Sequence, residues 1–522
     1  MIAMTFKNRL GCCGLLLFLA ASLAQADVKL SGLFTEHMVL QQGLPIRIWG
    51  WAEPGEEIRI TLADHSATAT TSTDGKWNVT LPARAADGPF VLNVAGKNSV
   101  AVKDVMVGEV WIASGQSNME WPLRKTDGSA AAIAGSANAK IRLFTVPKLR
   151  ADAPVADVKA SWKECTPETV PDFSGVAYYF ARDLQKARHV TVGIIHTSWG
   201  GSPAEVWMSE ASLTTNPTFQ RDILDAYPAT LKRHQEQIAE WEKEEAAAKK
   251  EGQPFQKNRP GAPWKPTELY NGMIAPLIPY AIQGAIWYQG ESNADRAFQY
   301  RSLFSLLIKN WRKDWKLGEF TFLAVQLAPF MKIESQPGES AWAELRETQN
   351  HATKVLTKVG IAVITDVGEE RDIHPQKKEP VGARLALAAR GIAYREPIEY
   401  SGPVFRSMRR EEGKLLLNFN HVGDGLEARG GELKGFAIAG ADRKFVWAKA
   451  EIQGAQVVLS SPEVKEPVAV RYGWANYPVV NLWNKNGLPA SPFRSDTYPM
   501  ITKPKQTDEA EKAKAADAHE KK

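Results

Sequence analysis

At 522 residues the chain exceeds what a single hydrophobic core holds, and roughly two to four domains are expected. A hydrophobic content of 44% with 24% charged residues excludes a disordered or fibrous protein. The formal charge is only +5, with acidic and basic residues interspersed, so no basic stripe points to nucleic acid.

The first 26 residues read as a secretory signal peptide. Lys7 and Arg9 form a basic start, an apolar run extends from Cys12 to Leu23, and Ala24-Gln25-Ala26 is a small-x-small cleavage site. The apolar run is too short to span a bilayer, so a secreted or periplasmic protein without a membrane span is expected. Cleavage leaves one cysteine, Cys165, and no internal disulfide.

Residues 27–103 carry short alternating runs, at 46–51, 57–62, 77–81 and 90–94, separated by turns such as Glu53-Pro54-Gly55 and Thr73-Asp74-Gly75. This pattern predicts an N-terminal β-sandwich module. From 104 to 395 the pattern changes. Apolar runs at 105–112, 190–195, 282–288, 320–327 and 359–364 alternate with helical segments. The expectation is an α/β fold, a doubly wound parallel five-stranded sheet with helices on both faces. Tyr300, Leu303, Phe304, Leu307, Ile308 and Trp311 mark one helix face, and Ser174 caps another helix through Val176, Phe180 and Leu184. A segment at about 216–266 interrupts the alternation with an exposed Glu/Lys/Ala-rich helix and then a proline-rich stretch, and reads as a helical insertion. Residues 396–502 return to short β runs and predict a C-terminal β-sandwich module. Residues 503–522 lack any large apolar side chain and read as a disordered tail.

Ligands gather at the C-terminal edge of such a sheet, and four loops there carry reactive groups. Gly115-Gln116-Ser117-Asn118-Met119 follows the first strand, with Ser117 on a tight turn as an attacking serine requires. Ser198-Trp199-Gly200-Gly201 follows the second, Trp287-Tyr288-Gln289-Gly290-Glu291-Ser292-Asn293 the third, and Asp366 then Asp372-Ile373-His374-Pro375 the fifth. Ester hydrolysis needs a nucleophile, a base, a group that orients the base, and oxyanion donors. Ser117, His374 and Asp372 supply the first three. The N–H groups of Ser117 and of Gly200 or Gly201, with a side-chain amide from Gln289 or Asn293, supply the donors. His196 lies within a buried run.

In this order the G-Q-S-N-M, S-W-G-G, W-Y-Q-G-E-S-N and D-I-H-P blocks resemble the serine, glycine, asparagine and histidine blocks of SGNH (GDSL-type) hydrolases. With LYNGMIAPL at 269–277 and ASPFR at 490–494, the chain looks like the sialate O-acetylesterases. The resemblance covers nearly everything after the signal peptide. It implies Ser117 as nucleophile and first oxyanion donor, Gly200 or Gly201 as second, Asn293 or Gln289 as third, and His374 as base. The wider family places its acid three residues before the histidine, where this chain has Arg371, so Asp372, Asp366, Glu291 or a carbonyl is left to orient His374.

The implied activity is a secreted serine esterase that removes O-acetyl groups from sugars, O-acetylated sialic acid first. An acetyl xylan or other polysaccharide acetylesterase is the alternative within enzymes, and an inert carbohydrate-binding protein the alternative outside them. Gln116, Trp199, Glu291, Arg371 and Arg124 are candidate substrate contacts, the two arginines for a sialate carboxylate. Trp121, Trp207 and Tyr288 are further candidates for stacking on a sugar. No ligand set for a metal and no cofactor motif is present, and oligomeric state is left open.

Overall fold

The structure is a computed structural model that describes residues 27–504. The expected signal peptide and all but the first two residues of the expected tail lie outside the described residues. The centre is a mixed α/β domain built on a large sheet. Its spine is a 17-residue strand, Ser99–Gly115 (β1), that leads into Ser117. The other central strands are Asn138–Thr145 (β2), Val192–Ser198 (β3), Gly284–Tyr288 (β4), Thr321–Val325 (β5) and Val359–Ala362 (β6). They pair in the order β2-β3-β1-β4-β5-β6, every neighbour parallel. A short strand, Lys163–Cys165, adds antiparallel to the outer edge of β2.

The parallel part therefore has six strands where the apolar runs predict five. The additional one, β2, carries Lys140 and Arg142 among its apolar residues, which conceals it as a run. Arg142 is buried because its guanidinium pairs with Asp104 and Glu164 and touches His37.

Side chains alternate across β1. Val110 and Ile112 join one buried cluster, whereas Trp111 and Ala113 join the cluster on the opposite face, so the strand is apolar on both faces from Val110 to Ala113. The helix Gly175–Arg188 covers one face, capped by Ser174, whose Oγ accepts from the Ala177 N–H at 3.1 Å. The helix Ala297–Trp315 covers the other with Tyr300, Leu303, Phe304, Leu307, Ile308 and Trp311 buried.

The N-terminal β region does not join the centre through a linker. The first half of β1 pairs antiparallel with Asp87–Ala95 and parallel with Val39–Gln41. The boundary drawn at 103/104 thus falls inside one continuous strand. The second half of β1 is the first core strand, so the spine is braced at both ends. The insertion contains a 24-residue helix, Tyr227–Lys250, with no buried side chain. The C-terminal β region has its own apolar cluster around Leu415, Phe436, Val457 and Tyr472. It is tied to the centre by Arg346, which is fully buried and donates to the carbonyls of Leu327, Ala328, Ala475 and Asn476. No helix among the described residues is long and apolar enough to cross a membrane.

Candidate active site

All four motif loops meet at the C-terminal edge of the parallel strands. Gly115 closes β1 with φ +137°, and a Cβ there would meet the Tyr288 carbonyl oxygen at 2.1 Å. Only glycine lets the chain turn at this point, and the turn starts a single helical loop, Ser117–Glu120. Ser117 Oγ lies 2.8 Å from His374 Nε2, although 257 residues separate them in sequence. The Trp121 indole stacks on the His374 ring, with centroids 5.1 Å apart and planes inclined by 13°. This contact fixes the imidazole plane from one side. Burial holds the His374 pKa below the usual imidazole value, with Asp372 opposing the shift and Lys378 adding to it. The ring is therefore a neutral acceptor at neutral pH.

Asp372 reaches His374 twice. Its Oδ1 accepts from the His374 backbone N–H at 2.8 Å and lies 3.5 Å from Nδ1. Asp366 is not available to His374, because both of its oxygens are held by Arg384 at 2.6 and 2.8 Å. Glu291 Oε1 accepts from Asn118 Nδ2 at 2.7 Å, and no hydrogen bond joins Glu291 to His374 among the described residues. Burial raises the Glu291 pKa.

The expected oxyanion donors are only partly free. No acceptor among the described residues takes the Ser117 N–H. The Gly200 backbone is close enough that a Cβ would lie 3.2 Å from Ser117 Cβ. Its N–H, however, donates to Glu120 Oε2 at 2.6 Å. Glu120 Oε1 in turn takes Lys148 Nζ at 2.5 Å. Gly201 adopts φ +76° and gives its carbonyl to Ser292 Oγ.

Gln289 and Asn293 are tied into hydrogen bonds away from Ser117. Gln289 Nε2 is spent on Asn293 Oδ1 at 2.7 Å and on the Ser202 carbonyl. Asn293 Nδ2 donates to Glu205 Oε2 at 2.9 Å, and its Oδ1 also takes the Ala204 N–H. Both side chains are fully buried and tie the third loop to the second. Gln116 does the same between the first and third loops: its Oε1 accepts from the Gly290 and Ser292 N–H groups while its Nε2 has no partner among the described residues.

Ser117 and His374 open onto a cavity of 560 Å³ whose walls include Glu120, Trp121, Arg124, Lys125 and Lys148. Arg124 is paired with Asp172 on that wall. Arg371 is exposed and does not line the cavity. Trp207 and Tyr288 are fully buried and cannot stack on a ligand. Trp199 is partly buried, edge-on to Trp264 from the end of the insertion. His196 also lines the cavity, but burial pulls its pKa down to about 4 and its Nε2 is bonded to Ser198 Oγ at 2.6 Å. Three residues at the site escape sequence reasoning: Asn118, Glu120 and Lys378. The first two sit within the serine block itself, whereas Lys378 lies in a run of polar residues that reads as surface.

Among the described residues, the one grouping able to hold a metal ion is His37, Asp104 and Glu164. The Arg142 guanidinium occupies that space and neutralises it.

A serine and a neutral imidazole in hydrogen-bond contact at the carboxyl edge of a doubly wound sheet define a carboxylic ester hydrolase. Comparison with known proteins agrees. Residues 237–389 match the family model described as carbohydrate esterase, sialic acid-specific acetylesterase. The chain is 27% identical to the sialate O-acetylesterase of Mus musculus over 92% of this chain and 97% of that one. It is 26% identical to the Homo sapiens enzyme, over 85% and 88%. Among solved structures, a carbohydrate acetylesterase from Xanthomonas citri is 40% identical, covers 90% of this chain and 100% of its own, and superposes with a TM-score of 0.78. The chain belongs to the sialate O-acetylesterase family of SGNH hydrolases.

Proposed function

We propose that this protein removes O-acetyl groups from sugars through an acetyl-enzyme on Ser117. The observation that carries the reading is the 2.8 Å contact between Ser117 Oγ and His374 Nε2. His374 takes the serine proton as Oγ attacks the acetyl carbonyl, then returns it to the departing sugar hydroxyl. Water repeats the sequence and releases acetate. Asp372 keeps the proton on Nδ1 and stabilises the imidazolium. The Ser117 and Gly200 N–H groups hold the oxyanion. For Gly200 this requires the Glu120 carboxylate to withdraw, and Lys148 is placed to retain it.

For the sugar, O-acetylated sialic acid is the reading supported by the family model and the mammalian relatives. It needs a cation for the carboxylate. A neutral acetylated polysaccharide, such as acetyl xylan, is the second reading, since Arg124 is paired with Asp172 and Arg371 lies off the cavity, which leaves Lys125 as the lining cation without a carboxylate partner among the described residues. The carbohydrate acetylesterase from Xanthomonas citri, at 40% identity, also supports a sugar ester without specifying sialic acid. The signal sequence at 1–26 supports export to a periplasm or the exterior.

The deciding experiment compares turnover of 9-O-acetylated sialic acid, acetylated xylan and an aryl acetate by the wild type, Ser117→Ala, Arg124→Ala and Lys125→Ala. Sialate turnover that falls selectively in a cation variant supports the sialate reading. Preference for xylan with no effect of either cation supports the polysaccharide. Retained turnover in Ser117→Ala ends the serine-esterase reading altogether.

A further inference from the structure

Behind the Ser117–His374 pair lies a sealed polar cluster that the reaction above does not use. Lys378 is wholly buried. Its Nζ donates to Asn118 Oδ1 at 2.5 Å and lies 5.3 Å from the centroid of the Tyr288 ring. Asn118, also wholly buried, donates through Nδ2 to Glu291 Oε1 at 2.7 Å and to the Ile373 carbonyl at 3.0 Å. An ammonium offers only donors, whereas a carboxylate and a carbonyl offer only acceptors. The amide of Asn118 therefore has one orientation that satisfies all three neighbours. The residue after the nucleophile is thereby tied to the residue before the base.

An ammonium sealed from water costs several kcal/mol of desolvation. A methionine of similar length would fill the space without that cost, so stability alone does not account for the lysine.

We propose that Lys378 is a positioning residue for ester hydrolysis: by fixing the Asn118 amide, it holds the Ser117 turn against the His374 loop and keeps Oγ within reach of Nε2. The proposal rests on the serine-esterase reading. Glu291, Asp372 and Glu369 are the negative charges that face the ammonium, while burial opposes its charge and pulls its pKa down to about 7. The same positive charge lowers the pKa of His374, whose other neighbours are Asp372, Ser117 and the Trp121 face.

The test uses the full chain and an aryl acetate. Lys378→Met should lower kcat/KM by on the order of 10²-fold, the cost of a small misplacement of reacting groups, and mainly through kcat. Loss of the ammonium should also move the acid limb of the kcat/KM profile to higher pH, because the imidazole then protonates more readily. The melting temperature should hold or rise. Asn118→Asp keeps the size of the side chain and still accepts from Lys378, but it loses the donors to Glu291 and Ile373. It should show a loss of the same order, and the double variant should be no worse than the poorer single one. Lys378→Met within twofold of wild type with an unmoved acid limb overturns the proposal, as does an active Asn118→Asp. A loss matched by a fall in melting temperature with no shift of the limb assigns a structural role and also overturns it. Ser117→Ala, run in parallel, reports separately on the serine-esterase reading.

Discussion

Replacing Asp372 by Asn separates this site from a triad with a buried acid. Asp372 Oδ1 lies 3.5 Å from His374 Nδ1, with 45% of the aspartate side chain and 29% of the histidine side chain exposed. At that distance a pair of unit charges is worth roughly 1 kcal/mol in water and roughly 5 kcal/mol at an effective dielectric constant of about 20. Half-exposure of the acid places the pair in the lower part of that range. About 2 kcal/mol corresponds to a loss in kcat of about 30-fold, against about 10⁴ for a buried triad acid. The carboxylate raises the His374 pKa, so its removal lets the imidazole stay neutral to lower pH. The acid limb of kcat/KM for aryl acetate hydrolysis should therefore move down in pH as kcat falls. Steady-state kinetics across the pH range would check both effects. A loss near 10⁴ would mean that Asp372 closes on the base as a buried acid does. Unchanged kcat with an unmoved limb would refute the orienting role.

Ser117→Ala and His374→Ala should each lower kcat by on the order of 10⁴ to 10⁶, with the double variant little worse than either; single-turnover assays at high enzyme concentration would measure the residual rates. Glu120→Gln leaves a neutral acceptor on the Gly200 N–H, weaker by about 1 kcal/mol. Phosphonylation of Ser117 should then be about fivefold faster, because the tetrahedral oxygen competes for the same N–H; slower labelling would assign Glu120 a supporting role in the reaction. Arg346→Ala removes the guanidinium from four carbonyls, leaving those of Leu327 and Ala475 without a side-chain donor while Ala328 keeps the Trp342 Nε1–H and Asn476 the Phe330 N–H. It should cost at least about 3 kcal/mol of stability, seen as a lowered melting temperature, and an unchanged one would show that the contact between the centre and the C-terminal region is carried elsewhere.

The sheet edge was legible because its strands are apolar on both faces and its loops are not. Ser117, His374 and Asp372 come together from exactly such loops, read from their place after a strand rather than from local composition. β2 escaped because Arg142 sits in the middle of it, and only the pairing with Asp104 and Glu164 makes that burial tolerable. The asparagine block misled for a related reason. Gln289 and Asn293 carry the right chemical groups, but a sequence does not reveal that their amides also tie the third loop to Ser202, Ala204 and Glu205 of the second. Asp366 is a similar case, since its partner Arg384 lies 18 residues on. Lys378 was unreadable in principle: a lysine between polar neighbours reads as solvated, and it is buried at the start of helix Glu379–Ile392, which packs against helix Gly175–Arg188.

The central claim is a covalent acetyl-enzyme on Ser117. Acid quenching during turnover of an aryl acetate, followed by mass spectrometry of the digested chain, tests it most directly. One added acetyl group is expected, confined to the peptide that carries Ser117, together with a burst of phenol approaching one per chain. An acetyl group on another residue that turns over at the steady-state rate, with Ser117 unmodified, would contradict it.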